Sequence, residues 1–130
     1  MIIKSPIDIE EEIRTALVEY LNAYVRPLPA NYNTPNILIK WAGGSSKNTI
    51  DSFTVSLEAR AEDDAEANEY LRLAIGILEE QTANQHGALR GVAVNSLGSW
   101  GVDPVRPDLS LATATVIVTA HRDEIEINKK

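Results

Sequence analysis

The chain has 130 residues, of which 44% are hydrophobic and 24% charged, enough for one domain that buries roughly two-thirds of its unfolded surface. Acidic residues outnumber basic ones 19 to 12, a formal charge of −7, and only Lys129 and Lys130 cluster, which argues against a nucleic-acid grip driven by counterion release. Cysteine is absent, which excludes disulfides and thiolate metal sites; no apolar run approaches the roughly 20 residues of a membrane span, and the acidic start MIIKSPIDIEEE is not expected to be a secretory signal.

The first element expected is a helix opened by Ser5-Pro6-Ile7-Asp8, with Ser5 as cap, Pro6 at the first helical position and Asp8 at a capping-box position. Ile9, Ile13, Ala16, Leu17, Tyr20, Leu21 and Tyr24 recur at spacings of three and four and form its apolar face. Pro27 and Pro29 end it, and 31–35 (NYNTP) is a loop. A short strand is expected over 36–41, then a Gly-Gly bend, then a half-buried strand over 52–60, where Phe53, Val55, Leu57 and Ala59 alternate with polar residues. A hairpin is the economical way to join these two strands.

A second helix runs from Asp63 or Asp64 to about Ala83, with acids in its first turn. Between Tyr70 and Leu78 only Arg72 and Gly76 are not apolar, an arc wider than one sheet face requires. Part of it is expected to meet the first helix or another chain. Gly76 costs about 1 kcal/mol relative to alanine in mid-helix, which fits either a close backbone approach or drift at a tolerated site. A third strand is expected over 92–100, a loop over 101–108 (GVDPVRPD), and a fourth strand over 111–120 that is small or apolar on both faces, as in a strand covered on both sides. Residues 121–130 read as a charged tail, in which RDEIEI either extends the last strand or pairs on a neighbour's edge. The expected fold is a single α+β domain over 1–130: a four-stranded, mostly antiparallel sheet with two helices packed against it, in the order α-β-β-α-β-β.

The most enzyme-like string is KWAGGSSKNT at 40–49. A phosphate-binding loop needs four residues between its first glycine and Gly-Lys-Ser/Thr, with a helix behind the lysine. Here Lys47 follows Ser46, precedes Asn48 and leads into a strand, so Gly43 and Gly44 read as suppliers of unusual backbone angles in a hairpin bend. His86 and His121 share no metal-ligand spacing, and no G-x-S-x-G elbow is present. The carboxylate clusters 10–12 and 62–64 fall in helix first turns, and 123–124 lies in the tail. No catalytic residue and no cofactor is expected; a divalent cation held weakly between carboxylates of neighbouring subunits is left open. Trp41 and Trp100, each at a strand end, read as core lids or as interface aromatics.

The patterns PNILIKW, then TIDSFTVSLEAR running into AEDDAEANEYLRLAIGILEE, then two final strands, extend over nearly the whole chain. In these, in its size and in its element order, the chain resembles the tail terminator proteins of long, non-contractile-tailed bacteriophages. The resemblance implies a virion protein, assembled in the host cytoplasm, that forms a ring, typically a hexamer, on the head-proximal end of the tail tube. Such a ring ends tube polymerisation, offers the head-completion or connector protein its joining surface, and lets DNA pass without sequence-specific binding. Partners would then be copies of itself, the tail tube protein and the connector. Surfaces expected to meet them are Gly43, Gly44, Ser45, Ser46 and Lys47 in the bend, Arg72 and Gly76 on the second helix, Asp103, Arg106 and Asp108 in the 101–108 loop, and Ile125 and Ile127 in the tail. The alternatives are a head-completion or neck protein and, from another class, a small ferredoxin-like ligand-binding domain. For the last, Arg60, His121 and Asp108 would be the first polar residues of a pocket.

Overall fold

In the computed structural model, which describes residues 1–48 and 50–130 and, of Ser99, only the backbone, the elements run β1 (Ile2–Ser5), α1 (Ile9–Leu17), β2 (Ala23–Val25), β3 (Asn36–Lys47), β4 (Ile50–Ala61), α2 (Asp64–Ala83), β5 (Leu89–Val102), β6 (Ser110–His121) and β7 (Asp123–Glu126). Asp8, not Ser5, starts the first helix: its side chain accepts the Glu11 N–H at 3.3 Å, while Ser5 ends β1. The helix also stops sooner than its apolar spacing suggests. The Tyr20 and Leu21 N–H groups both turn back onto the Leu17 carbonyl, and the chain reverses. Tyr24 then belongs to a strand, β2, which lies parallel to β3 with Tyr24 opposite Leu38. Aromatic and β-branched residues suit a pleated surface, and pairing with β3 overrides the helical period there.

The four-stranded sheet in the order α-β-β-α-β-β is therefore corrected. The class is α+β with two helices, but the main sheet has five strands in the order β2-β3-β4-β6-β5, and β1 and β7 form a separate two-stranded ribbon. β1 and β2, with four and three residues, are too short to show an alternating period, and β7, expected to extend the last strand or to pair on a neighbour's edge, pairs instead with β1 of its own chain.

β3 and β4 pair antiparallel, with arms that reach Lys47 and Ile50. Gly43 and Gly44 thus lie inside a strand and not in a hairpin bend; Thr49, the last residue of the quoted string, lies outside the described residues. A bulge between Trp41 and Gly43 leaves Ala42 unopposed, and Gly43 takes a φ of 134°. Gly44 is required for a different reason. A Cβ added there would sit 2.0 Å from the Ser52 backbone oxygen. Gly44→Ala is expected to lower stability by about 1–3 kcal/mol through this overpacking, read as a shift in urea midpoint; an unchanged midpoint would mean the arms do not lie this close.

Both helices cover one face of the main sheet. From α2, Ala67, Leu71, Ala74, Ile75 and Leu78 are buried against Phe53, Val55, Leu57, Ala59 and Ala61 of β4 and the alternate residues Ala112 to Ala120 of β6. Asp63 caps α2 by accepting the Glu66 N–H at 2.8 Å. Glu12 of α1 accepts the Ala88 N–H at 2.8 Å and so fastens the turn into β5. The surplus apolar arc of α2 is divided: Tyr70 and Ile77 pack at the core margin, and Leu73 is exposed. Gly76 makes no close approach, since an added Cβ would meet nothing within 4 Å. The second face of β6 (Leu111, Thr113, Thr115, Ile117 and Thr119) is half-buried with no helix over it, which corrects the expectation of a strand covered on both sides.

Candidate functional site

Two places on this frame concentrate polar chemistry, and two concentrate uncovered apolar surface. The first polar place is on the helix-free face. Glu58 and Arg60 are two apart on β4 and so share that face. Lys40 Nζ donates to Glu58 Oε2 at 3.1 Å, Arg60 Nη2 donates to Glu58 Oε1 at 3.0 Å, and Arg60 Nε donates to Asp103 Oδ2 at 2.7 Å. Asp103 is buried and also accepts the Val105 N–H at 2.9 Å, which ties down the loop after β5. Burial pushes the Asp103 carboxyl up, but the Val105 N–H and the Arg60 guanidinium outweigh it and hold the group below its ordinary value. Over this network the segment from Leu28 to Tyr32 and the loop carrying Val105 and Arg106 enclose a cavity of about 460 Å³.

The second polar place is where the ribbon leaves the sheet. Arg122 donates through Nε and Nη2 to the two oxygens of Asp51, each at 3.0 Å, through Nη2 to Ser46 Oγ at 3.0 Å, and through Nη1 to the Lys4 carbonyl at 3.4 Å. One side chain thus joins β4, β3 and β1. The fork on Arg122 holds the Asp51 carboxyl below its ordinary value against the opposing effect of burial. Beside it Gly44, Ser45 and Ser46 line a shallow cavity of about 310 Å³ with Trp41 and Phe53, whose rings meet edge to face at 6.0 Å.

The apolar surfaces lie elsewhere. β5 is an edge strand, and its register puts Val94, Leu97, Trp100 and Val102 opposite Val116, Ala114, Ala112 and Ser110, on the helix side of the sheet. α2 leaves them largely uncovered, although Asp64, Ala65 and Asn68 at its N-terminal end lie beside Trp100. Leu97 is 66% exposed, Trp100 59% and Val102 62%. The ribbon is the other surface. Ile3 pairs with Ile125, the Met1 amino group donates to the Ile127 carbonyl at 3.1 Å, and Met1, Ile125 and Ile127 are exposed. A two-stranded ribbon alone is marginal in water.

The residues singled out in sequence are scattered over these places. Gly43 to Lys47 occupy the far arm of β3 and meet the ribbon through Arg122. Arg72 and Gly76 are on the exposed side of α2. Asp103 is spent inside the fold on Arg60, whereas Arg106 and Asp108 are exposed and bind each other at 2.7 and 3.2 Å. Ile125 and Ile127 are on the ribbon. Arg60, His121 and Asp108 do not converge: Asp108 is taken by Arg106, and His121 is ten residues along β6 from Leu111, the partner of Arg60, a distance of about 33 Å. Among the described residues no three carboxylate or imidazole groups gather where a metal ion could be held. The Arg60–Asp103 and Asp51–Arg122 pairs were missed because their members are 43 and 71 residues apart, and no local pattern joins such positions. Trp100, a core lid or an interface aromatic by its sequence position, is exposed and covers no core. Comparison with protein-family models and with curated proteins finds no match.

Proposed function

We propose that the protein acts by contact and not by catalysis, as a structural virion subunit. In this reading it closes into a ring on the head-proximal end of a phage tail tube, ends tube polymerisation and presents the head-joining surface. The observation that carries the self-assembly is the exposed stripe Val94, Leu97, Trp100 and Val102 along β5, the edge strand of the main sheet. Such an edge invites another chain unless it is covered. A ring is a heterologous contact that closes on itself, so each subunit needs two different patches. The ribbon supplies a second. It follows His121, nine residues along β6 from Ala112, the partner of Trp100, so Trp100 lies about 30 Å from the start of the ribbon. The ribbon's β7 strand is acidic, with Asp123, Glu124 and Glu126, and Arg72 on α2 is exposed, which suits an acidic strand of the next subunit.

The specific placement at a tail tube rests on the local patterns PNILIKW and TIDSFTVSLEAR and not on the element order, which differs from α-β-β-α-β-β. The net charge of −7 fits a lumen that lets DNA slide, because few cations are available to release counterions. Leu97→Asp combined with Trp100→Ser tests the assembly. Wild type is expected to sediment as a closed ring, with the double variant a monomer whose stability is within about 0.5 kcal/mol of wild type, as for other exposed substitutions. A wild-type chain that stays monomeric with and without magnesium and binds no tail tubes ends the proposal. Electron microscopy of phage lacking the gene separates the neck alternative: overlong tails mean lost termination, and normal tails beside unattached heads mean a lost neck.

A further inference from the structure

The cavity over Arg60 raises a question that assembly does not answer. Arg60 is 8% exposed and lines the cavity. Its Nε and Nη2 are engaged by Asp103 and Glu58, yet Nη1 is buried with no acceptor among the described residues. A guanidinium is a donor only, and leaving a buried charged donor unmet is costly. Glu58 is already bound by Lys40, and Asp103 by the Val105 N–H, so neither can turn to serve Nη1 without losing a partner. The walls above are mostly apolar, from Leu28, Pro29, Leu38 and Val105, with Tyr32 and Arg106, the latter paired with Asp108, completing them. About 460 Å³ lies within the range of small-ligand sites, which combine apolar walls with a few placed polar groups.

We infer that this cavity binds an apolar group bearing a carbonyl or carboxylate oxygen, with the oxygen accepting from Arg60 Nη1 and the apolar body held between the Leu28–Tyr32 segment and Val105. The charges at its base nearly cancel, with Lys40 and Arg60 against Glu58 and Asp103. A neutral carbonyl therefore serves as well as a carboxylate, and the source is either a free small acid or a residue of a peptide. The site is separate from the self-assembly surface. Leu38 and Arg60 belong to the helix-free face, and the β5 stripe lies on the other.

The test is NMR titration of the full chain with three probes that share one apolar body: N-acetyl-leucine, its methylamide, and 3-methylbutan-1-ol, which has no carbonyl. Saturable shifts of the Leu38 and Val105 methyls and of the Arg60 Nε–H are expected with the first two. The alcohol is expected to bind at least about tenfold more weakly. Tighter binding of N-acetyl-leucine points to a free acid or chain end, and tighter binding of the methylamide to an internal peptide residue. Ala30 is exposed at the cavity rim, so Ala30→Trp is expected to fold normally and to weaken both carbonyl probes at least about tenfold. No saturable shift with any probe would mean that only water fills the cavity. That result, equal binding of the alcohol, or undiminished binding by Ala30→Trp overturns the inference, whatever the oligomeric state.

Discussion

Asp103→Ala is expected to lower the stability of the protein by about 3–5 kcal/mol, the usual consequence of removing one member of a buried ion pair. Asp103 is 3% exposed and Arg60 8%. The substitution strands the guanidinium with Glu58 as its one acceptor, and it frees the Val105 and Arg106 N–H groups that Asp103 Oδ1 accepts at 2.9 and 3.4 Å. Urea unfolding followed by circular dichroism gives the number. Asp103→Asn should lie between wild type and alanine, since an amide oxygen can still accept the Val105 N–H but carries no charge. The acid dependence has a definite sign. The folded carboxyl titrates below its ordinary value, so its contribution is fully present above the unfolded pKa of about 3.9 and is lost as pH falls through the folded value. The gap between wild type and Asp103→Ala should therefore be constant near neutrality and narrow below about pH 4. Asp51, held low by Arg122, adds acid sensitivity of the same sign to both proteins and cancels from the comparison. A gap of less than about 1 kcal/mol, or one independent of pH, would mean that Arg60 and Asp103 do not form this pair in solution.

Leu57→Ala is the second large effect, with an expected loss of about 2–5 kcal/mol. Leu57 has no exposed surface and sits mid-way along β4, between Ile39 of β3 and Ala114 of β6, beneath the helices. Its cross-strand neighbour on β6 is an alanine and cannot expand into the space left behind. The cavity therefore persists, which puts the cost toward the upper part of the range. Leu97 is the useful contrast. It has the same side chain on the same helix side of the sheet but is 66% exposed, so its truncation should leave the monomer's stability within about 0.5 kcal/mol while weakening assembly. Measured together, the two leucines separate folding from association. If Leu97→Ala cost as much as Leu57→Ala, β5 would be covered within its own chain, and the stripe would lose its role as a contact surface.

What could be read from the residues alone was whatever repeats within one element. The residues predict α2 from Asp63 or Asp64 to about Ala83, and it spans Asp64–Ala83, because cap, acidic first turn and apolar period all lie within 21 residues of chain. The cores of β4 and β6 were legible for the same reason, through Phe53, Val55, Leu57 and the alternating alanines and valines after Leu111. The rejection of a phosphate loop at 43–47 needed only spacing.

Tertiary structure decided the rest. Tyr24 fits a helical period and sits in a strand, since β3 offered an edge to pair with. Residues 2–5 and 123–126 form a ribbon although 118 residues or more separate the two strands in sequence. Asp103, read as part of a surface loop, turned inward to meet Arg60, and Leu97, Trp100 and Val102 stay exposed on the edge strand β5 although the N-terminal end of α2 lies beside Trp100. Periodicity reports which side of an element is apolar. Which neighbour covers that side, and which charge meets which, depends on contacts between distant segments that only the closed chain brings within reach.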